Sequence, residues 1–371
     1  MTPQNHKQTT GYQEFLKSKS QLGGQFGFEP VFMPDYLFDF QKNLVEWKLR
    51  KGRGALFEDC GLGKTIQELV IAENVVRKTN KNVLILTPLA VSYQFIGEGE
   101  KFGIEVRRST DGKPNGKITV TNYERLHLFD PSDYIEVICD ESSILKHFGG
   151  STQKHVTRFT SKMPYRTLAT ATAAPNDFYE LGTSSEAVGA LGYSDMLSRF
   201  FNQTDNKSYR MNEVKLLREA KKPGKHFAKL AYRAAQQIGQ WKLKPHAEIP
   251  FWKWVCSWAR ACRMPSDLGF PDNGFILPPL KQRDHVVIPK TPPEGMLFNP
   301  EVFGLNQERE ERRRTMDERC GLVADLAKSG DYVFIGCHLN VEGDVIEKLI
   351  PDAVQVAGKH PDDEKEEKLI S

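Results

Sequence analysis

Residues 58–65 read E-D-C-G-L-G-K-T, and residues 138–141 read I-C-D-E. Both stretches carry residue types that could do chemistry. In the first, Gly61 and Gly63 let the backbone come close to a ligand, and the run from Leu62 through Ile66 leads into a helical pattern. Loop N–H groups and a helix N-terminus together form an anion cradle. Lys64 adds a positive charge suited to β- and γ-phosphates, and Thr65 adds a hydroxyl suited to Mg²⁺. The loop departs from G-x-x-x-x-G-K-[ST] at its first slot, which holds Glu58 instead of glycine. In the second stretch an apolar strand ends in adjacent carboxylates. Burying two carboxylates side by side is unfavourable unless a cation or a reaction uses them. Asp140 is placed to hold Mg²⁺, and Glu141 is placed to polarise an attacking water.

The surrounding pattern must bring these stretches together. "LFDFQKNLVEWKLRKG" repeats apolar residues at helical spacing through Phe40, Leu44 and Trp47, and Gly52 and Gly54 end it. "GALFEDC" reads as a short buried strand, and "TIQELVIAENVVRKTN" as an amphipathic helix ending at Asn80. "NVLILTP", "KITVTNY", "YIEVICDE" and "YRTLATATAAP" read as further strands. Strands alternate with helical stretches to about residue 190. That alternation predicts an α/β fold, a parallel sheet with helices on both faces.

Composition narrows the class. The chain of 371 residues has no run of 18 apolar residues and begins with a polar stretch, so neither a membrane span nor a secretory signal is expected. Its six cysteines form no C-x-x-C pair, which argues against zinc and fits a reduced, cytoplasmic setting. Cys256, Cys262 and His246 read as ordinary residues. The net charge of +3 hides an asymmetry: residues 207–263 hold 14 Lys or Arg against 3 Asp or Glu, with four of the five tryptophans nearby. Proline and glycine break residues 195–290 repeatedly, and the segment reads as a basic, aromatic, mostly helical insert. Lys221, Lys222, Lys225, Lys229, Arg233, Lys242 and Lys244 are its candidates for phosphate contact. Its rings could stack on bases, but the tryptophans read first as a small core. Residues 1–34 read as a lead-in, 35–194 as the first domain, 291–307 as a proline-rich linker, and 308–371 as the start of a second α/β domain. In that last part "DYVFIGCHLN" reads as a strand, and "VEGDVIEKLIPDAVQVAG" as a helix and a strand.

Taken in order, these motifs resemble superfamily 2 helicases, and most closely the Snf2-like DNA translocases and their shorter phage and prophage relatives. Snf2-like loops read D-E-M-G-L-G-K-T, so Glu58 fits that group's acidic first slot. Gln41 in "FDFQ", beside Phe40, resembles the glutamine that reads adenine. "LILTPLAVSYQF" resembles motif Ia, with Thr87 and Pro88 along a nucleic-acid backbone. "ITVTNYERL" resembles motif Ib through Thr121, Asn122 and Tyr123. "DESSILK" resembles the DEAH-type box, with Ser142 and Ser143 replacing Ala-His. "LATATAAPNDFYEL" resembles motif III, with Thr170 and Thr172 linking the two sites, although T-A-T-A replaces T-G-T-P.

The resemblance implies a RecA-like P-loop domain, ATP and Mg²⁺ as cofactors, and DNA, double-stranded by analogy, as partner. It also implies a second RecA-like lobe bearing arginines, of which residues 308–371 would be an incomplete start. The cluster "ERRRT" at 311–315 lies before that lobe's first strand and reads as a solvated linker helix. The expected function is a DNA-dependent ATPase of helicase or translocase type. The alternative is an ATP- and DNA-binding module with little hydrolysis of its own, or one completed by a second chain.

Overall fold

Five runs that read as buried strands form the middle of one sheet: β1 (Arg53–Glu58), β2 (Asn82–Thr87), β4 (Ile118–Asn122), β5 (Tyr134–Cys139) and β6 (Tyr165–Thr170). The computed structural model describes residues 24–89, 91–203, 241–289, 292, 305–328 and 333–370. It divides into two compact units, Met1–Ile276 and Leu277–Ser371. With β3 (Arg107–Arg108) and β9 (Ala259–Cys262), the first unit holds a seven-stranded sheet in the order β3-β4-β2-β5-β6-β1-β9. Every pairing in it is parallel.

Pleating sends alternate side chains to opposite faces. Ala55, Phe57, Leu84, Leu86, Val137 and Cys139 join one core cluster, while Leu56, Val83, Ile85 and Ile138 join the other. Helices α1 (Asp39–Lys51), α2 (Lys64–Thr79) and α3 (Ser92–Phe102) cover the second face through Leu44, Leu49, Leu69 and Phe95. Helices α4 (Ser151–Thr160), α5 (Leu181–Val188), α6 (Tyr193–Phe200) and α7 (Glu248–Trp258) cover the first through Val156, Val188, Met196 and Trp254. The fold is a parallel sheet with helices on both faces. One charged pair runs through this core. Lys48 on α1 meets Glu136 on β5 at 3.1 Å with both side chains buried, and the Thr167 hydroxyl donates to the same Glu136 oxygen at 2.7 Å.

The segment read as a separate insert is corrected in its described part. Residues 241–262 build into the first unit. β9 adds to the sheet beside β1, with Ala55 opposite Ala259 and Glu58 opposite Cys262. Trp254 and Trp258 are core residues, and Trp258 packs edge-to-face on Phe57 at 6.0 Å. A four-residue strand is too short to show in a hydrophobic pattern; its partner β1 decides it. β7 (Phe201–Gln203) and β8 (Trp241–Leu243) make a small antiparallel pair. The short helix read at residues 13–19 lies outside the described residues.

The second unit contains α8 (Leu305–Arg314), α9 (Met316–Ala327), α10 (Asn340–Leu349) and α11 (Asp362–Ile370). Arg312 and Arg313 of the arginine cluster are exposed on α8, and Arg314 pairs with Glu311 at 2.8 Å. The strands expected here are not found among the described residues: 333–337 and 353–357 have no ladder partner. Phe334 is 95% exposed, so the run lacks the cover that makes an apolar segment a strand. Among the described residues no helix is long and apolar enough to cross a membrane.

Candidate nucleotide site

The loop between β1 and α2 takes its shape from two glycines in the left-handed region, Gly61 at φ 86° and Gly63 at φ 75°. The positive φ strains any side chain at Gly63, and a Cβ there would lie 2.5 Å from Gln41 Nε2 and push aside the amide that braces the loop. Three side chains brace the loop. Gln41 Nε2 donates to the Leu62 carbonyl at 2.9 Å, and Gln41 Oε1 accepts from Phe38 N at 3.0 Å. Gln67 Nε2 donates to Glu58 Oε2 at 2.7 Å. Lys64 Nζ donates to the carbonyls of Glu58 and Asp59, each at 3.0 Å. Gln41 was read as an adenine contact; it is buried and already props the loop, with one N–H and one lone pair still to offer. The side chains of Leu62 and Ile66 belong to the core, so a ligand could meet only their main chain.

The strand order explains how the second stretch reaches the first. β6 lies between β1 and β5, and Thr170 at its end stands opposite Phe57 of β1. Glu141 follows β5 with φ 47° and ψ 50°, a left-handed conformation uncommon for a non-glycine residue. Its Oε1 is what holds it there. Thr170 Oγ1 donates at 2.9 Å, Thr172 Oγ1 at 3.2 Å, and Ser143 Oγ makes a further short bond. Oε2 has no partner among the described residues. Thr170 and Thr172 were read as coupling residues, and they meet the carboxylate read as base. Ser143, which sequence reasoning treated only as a departure from the DEAH pattern, is the third donor.

Three more carboxyl groups are confined nearby. Burial raises Asp140 to about 6, with Glu141 adding to the effect while the Glu141 N–H and Lys64 oppose it. Burial raises Glu58 to about 7 against the opposing Gln67 bond and Lys64 charge. Glu68 on α2 is pushed well above its ordinary value by burial, then by Asp140 and Glu58. Glu58 Oε1 has no hydrogen-bond partner among the described residues, and the Glu68 oxygens have only the neighbouring Asp140 carboxyl, a contact that needs a shared proton. Sequence reasoning missed Gln67 and Glu68, because both fit an amphipathic helix without strain.

The residues read as nucleic-acid contacts divide. Thr87, Thr121, Asn122 and Tyr123 are buried, and only Pro88 of that group is partly exposed. Their bonds are internal: Thr87 Oγ1 donates to the Pro88 carbonyl at 3.0 Å, and the Tyr123 hydroxyl donates to the Asp140 carbonyl at 2.7 Å. These side chains are turned into the fold instead of forming a surface, although Thr121 Oγ1 and Asn122 Nδ2 have no hydrogen-bond partner among the described residues. Lys242 is exposed, whereas Lys244 Nζ donates to the Ser198 and Arg199 carbonyls at 2.7 and 3.2 Å in the last turn of α6. Lys221, Lys222, Lys225, Lys229 and Arg233 lie outside the described residues.

These residues suit a magnesium nucleotide. The left-handed glycine loop opens a helix N-terminus, and Lys64 sits on exchangeable carbonyl bonds. Thr65 and Asp140 are hard oxygen donors of the kind Mg²⁺ uses alongside phosphates and water. Among the described residues no group of three His, Cys, Asp or Glu is disposed to hold a metal alone.

This is a P-loop-type site on a parallel α/β sheet. No family model matches the chain. In sequence it is similar to the DNA annealing helicase and endonuclease ZRANB3 of Mus musculus, 30% identical over 183 residues, covering 44% of this chain and 17% of that protein. It is also similar to the SWI/SNF chromatin-remodeling complex subunit snf22 of Schizosaccharomyces pombe, 27% identical over 195 residues, 45% of this chain and 11% of that protein. Among solved structures it is similar to the Sulfolobus solfataricus SWI2/SNF2 ATPase core in complex with dsDNA, at 21% identity and a TM-score of 0.38, over 47% of this chain and 40% of that one. The UvsW helicase from bacteriophage T4 is similar at 12% identity and a TM-score of 0.35, over 50% and 66% of the two chains. The chain spans only 11–17% of the curated relatives it matches. The sequence likeness is thus to proteins with Snf2 and helicase names.

Proposed function

We propose that this chain binds ATP with Mg²⁺ in the β1–α2 loop and works as a DNA-dependent ATP hydrolase of helicase or translocase type. One observation carries the reading: Glu141 is held at the end of β5 by hydroxyls from the end of β6, beside a glycine loop that begins at β1. The named relatives add support from sequence, ZRANB3 as a helicase and snf22 as a chromatin-remodelling subunit.

In this reading the loop N–H groups from Gly61 to Thr65 face the phosphates at the start of α2. Lys64 exchanges its two carbonyl bonds for phosphate oxygens. Thr65 and Asp140 hold the cation, and the magnesium nucleotide, when bound, supplies the transferable phosphoryl group. Glu141, anchored through Oε1, offers Oε2 to an attacking water and takes its proton. Thr170 and Thr172 bond that same carboxylate, so a shift of the β6 end would move the base. Pro88, Lys242 and the basic residues from Lys221 to Arg233 are proposed nucleic-acid contacts.

The test is steady-state ATP hydrolysis with and without double-stranded DNA, with Lys64→Ala as the blank. A DNA-stimulated rate that Lys64→Ala abolishes supports the reading. Nucleotide and DNA binding without turnover would leave a binding module only. Failure of folded protein to bind ATP at all would overturn the reading.

A further inference from the structure

Two pairs of aromatic rings stand partly in solvent on loops that leave the site strands. Phe148 lies in the segment after β5, beyond the short turn Ser142–Lys146, and is 53% exposed. Its ring stacks on Tyr193, with centroids 4.0 Å apart and planes 10° apart. Tyr193 is buried at the start of α6 and belongs to a core cluster, so it fixes the orientation of Phe148. One face of Phe148 is therefore used and the other is presented flat. The second pair follows β6. Phe178, 46% exposed, meets Trp252 of α7 edge-to-face at 5.0 Å. Trp252, 36% exposed, rests in turn on the buried Phe251 at 5.2 Å. Both pairs stand on the same core cluster.

We propose that the Phe148–Tyr193 stack, and separately the Phe178–Trp252 pair, each offer a stacking platform for an unpaired nucleic-acid base. This rests on the reading of the chain as acting on nucleic acid, and it names a substrate form that reading leaves open. Large exposed rings lose their water when covered, and a flat face held parallel to a buried ring continues most naturally with another flat ring. Every base has such a face. The charges nearby in the chain complement a phosphate-linked partner. Lys146 lies two residues before Phe148 and Lys253 follows Trp252, neither in an ion pair among the described residues, while Asp177 before Phe178 is the one acid next to these rings in the chain. The rings leave from the ends of β5 and β6, the same two strand ends that carry Glu141 and Thr172. Base contact there would bear on the loops that hold the carboxylate.

The experiment measures binding of the full chain to a labelled oligo-dT and to a duplex of equal length, by fluorescence anisotropy. Wild type binds both. Phe148→Ala weakens oligo-dT binding by about 5- to 100-fold, the range for loss of one stacked base, and leaves duplex binding within about twofold. Phe148→Tyr retains oligo-dT binding, which separates stacking from a folding defect. The part of the tryptophan emission that Trp252→Phe removes is quenched by oligo-dT more than by duplex, and the absence of such a difference overturns a role for that pair. Equal loss for both nucleic acids, or no loss on Phe148→Ala, overturns the platform while leaving the duplex reading intact. A changed oligomeric state with unchanged oligo-dT affinity assigns the rings to a second copy and also overturns it. If wild type binds neither nucleic acid, the functional reading fails and the platform fails with it.

Discussion

Strand β5 and the residue that follows it carry two acidic side chains four residues apart, and the fold treats them oppositely. Glu136, inside the strand, is paired through Oε1 with Lys48 at 3.1 Å and Thr167 at 2.7 Å, while its Oε2 has no hydrogen-bond partner among the described residues. Asp140, just past the strand end, is buried beside Glu141 and Glu68, with Lys64 the cation that opposes the shift. Lys64 itself is bonded to loop carbonyls. In the first arrangement a buried cation, Lys48, matches the carboxylate. The second crowds carboxyl groups whose ionisation burial opposes, and no cation is in an ion pair with any of them among the described residues. A protein retains such a cluster where something positively charged arrives.

The comparison breaks most visibly at Glu136. Removing one partner of a buried ion pair leaves the other charge uncompensated, so Lys48→Met should cost about 3–5 kcal/mol in urea unfolding. The double variant Lys48→Met with Glu136→Gln should recover most of that loss. A single variant within about 1 kcal/mol of wild type would show that the pair is not needed, and the contrast with Asp140 would lose its meaning.

At Asp140 the sign should invert. Asp140→Asn removes a charge that burial opposes, so ligand-free protein should melt a few degrees higher at pH 8, by about 2–4 °C per kcal/mol gained. The same variant should lose most of the thermal stabilisation given by ATP with Mg²⁺. A lower melting point without ligand would mean that Asp140 is a structural acid like Glu136.

The pH dependence tests the same cluster without mutation. Asp140 at about 6 and Glu58 at about 7 are carboxyls raised above their unfolded values. A raised carboxyl contributes stability that is complete below its unfolded pKa and lost as pH rises through the folded one. Ligand-free stability from these groups should therefore fall from about pH 4 to about pH 7. ATP with Mg²⁺ should bind more tightly over the same interval, because Asp140 becomes the carboxylate that a cation needs. Calorimetry at several pH values would show the two trends opposed. Trends running in the same direction would break the assignment.

These tests also mark what the sequence makes legible. Val83–Leu86 and Val137–Cys139 are unbroken apolar runs, and a run buried on both faces needs little context to be read as a strand. Gly61, Gly63 and Lys64 are legible because left-handed backbone and a lysine before a helix have few other uses. β9 is not legible, since "ARAC" becomes a strand only by lying along β1. Phe334 errs the other way: its apolar run invites a strand, but the described residues supply no neighbour. Gln67 and Glu68 are hidden by a helix pattern that says which face is buried but not that a carboxyl lies on it. The inward positions of Thr121 and Asn122 follow from a sheet whose pairings span distant parts of the chain.

The smallest expected effect separates surface from support in the basic region. Lys242 and Lys244 sit two residues apart, one exposed and one spent on the carbonyls that end α6. A cation at a helix C-terminus contributes about 0.3–1 kcal/mol. Lys244→Ala should therefore lower the melting temperature by a degree or two and leave duplex affinity nearly unchanged. Lys242→Ala should leave the melting temperature alone. If Lys242 touches a phosphate, its loss should weaken binding uniformly across sequences and reduce the slope of log affinity against log salt by about one counterion. The reverse result, with Lys244 carrying the salt slope, would mean that its carbonyl bonds open on DNA and that α6 gives up its capped end when the partner arrives.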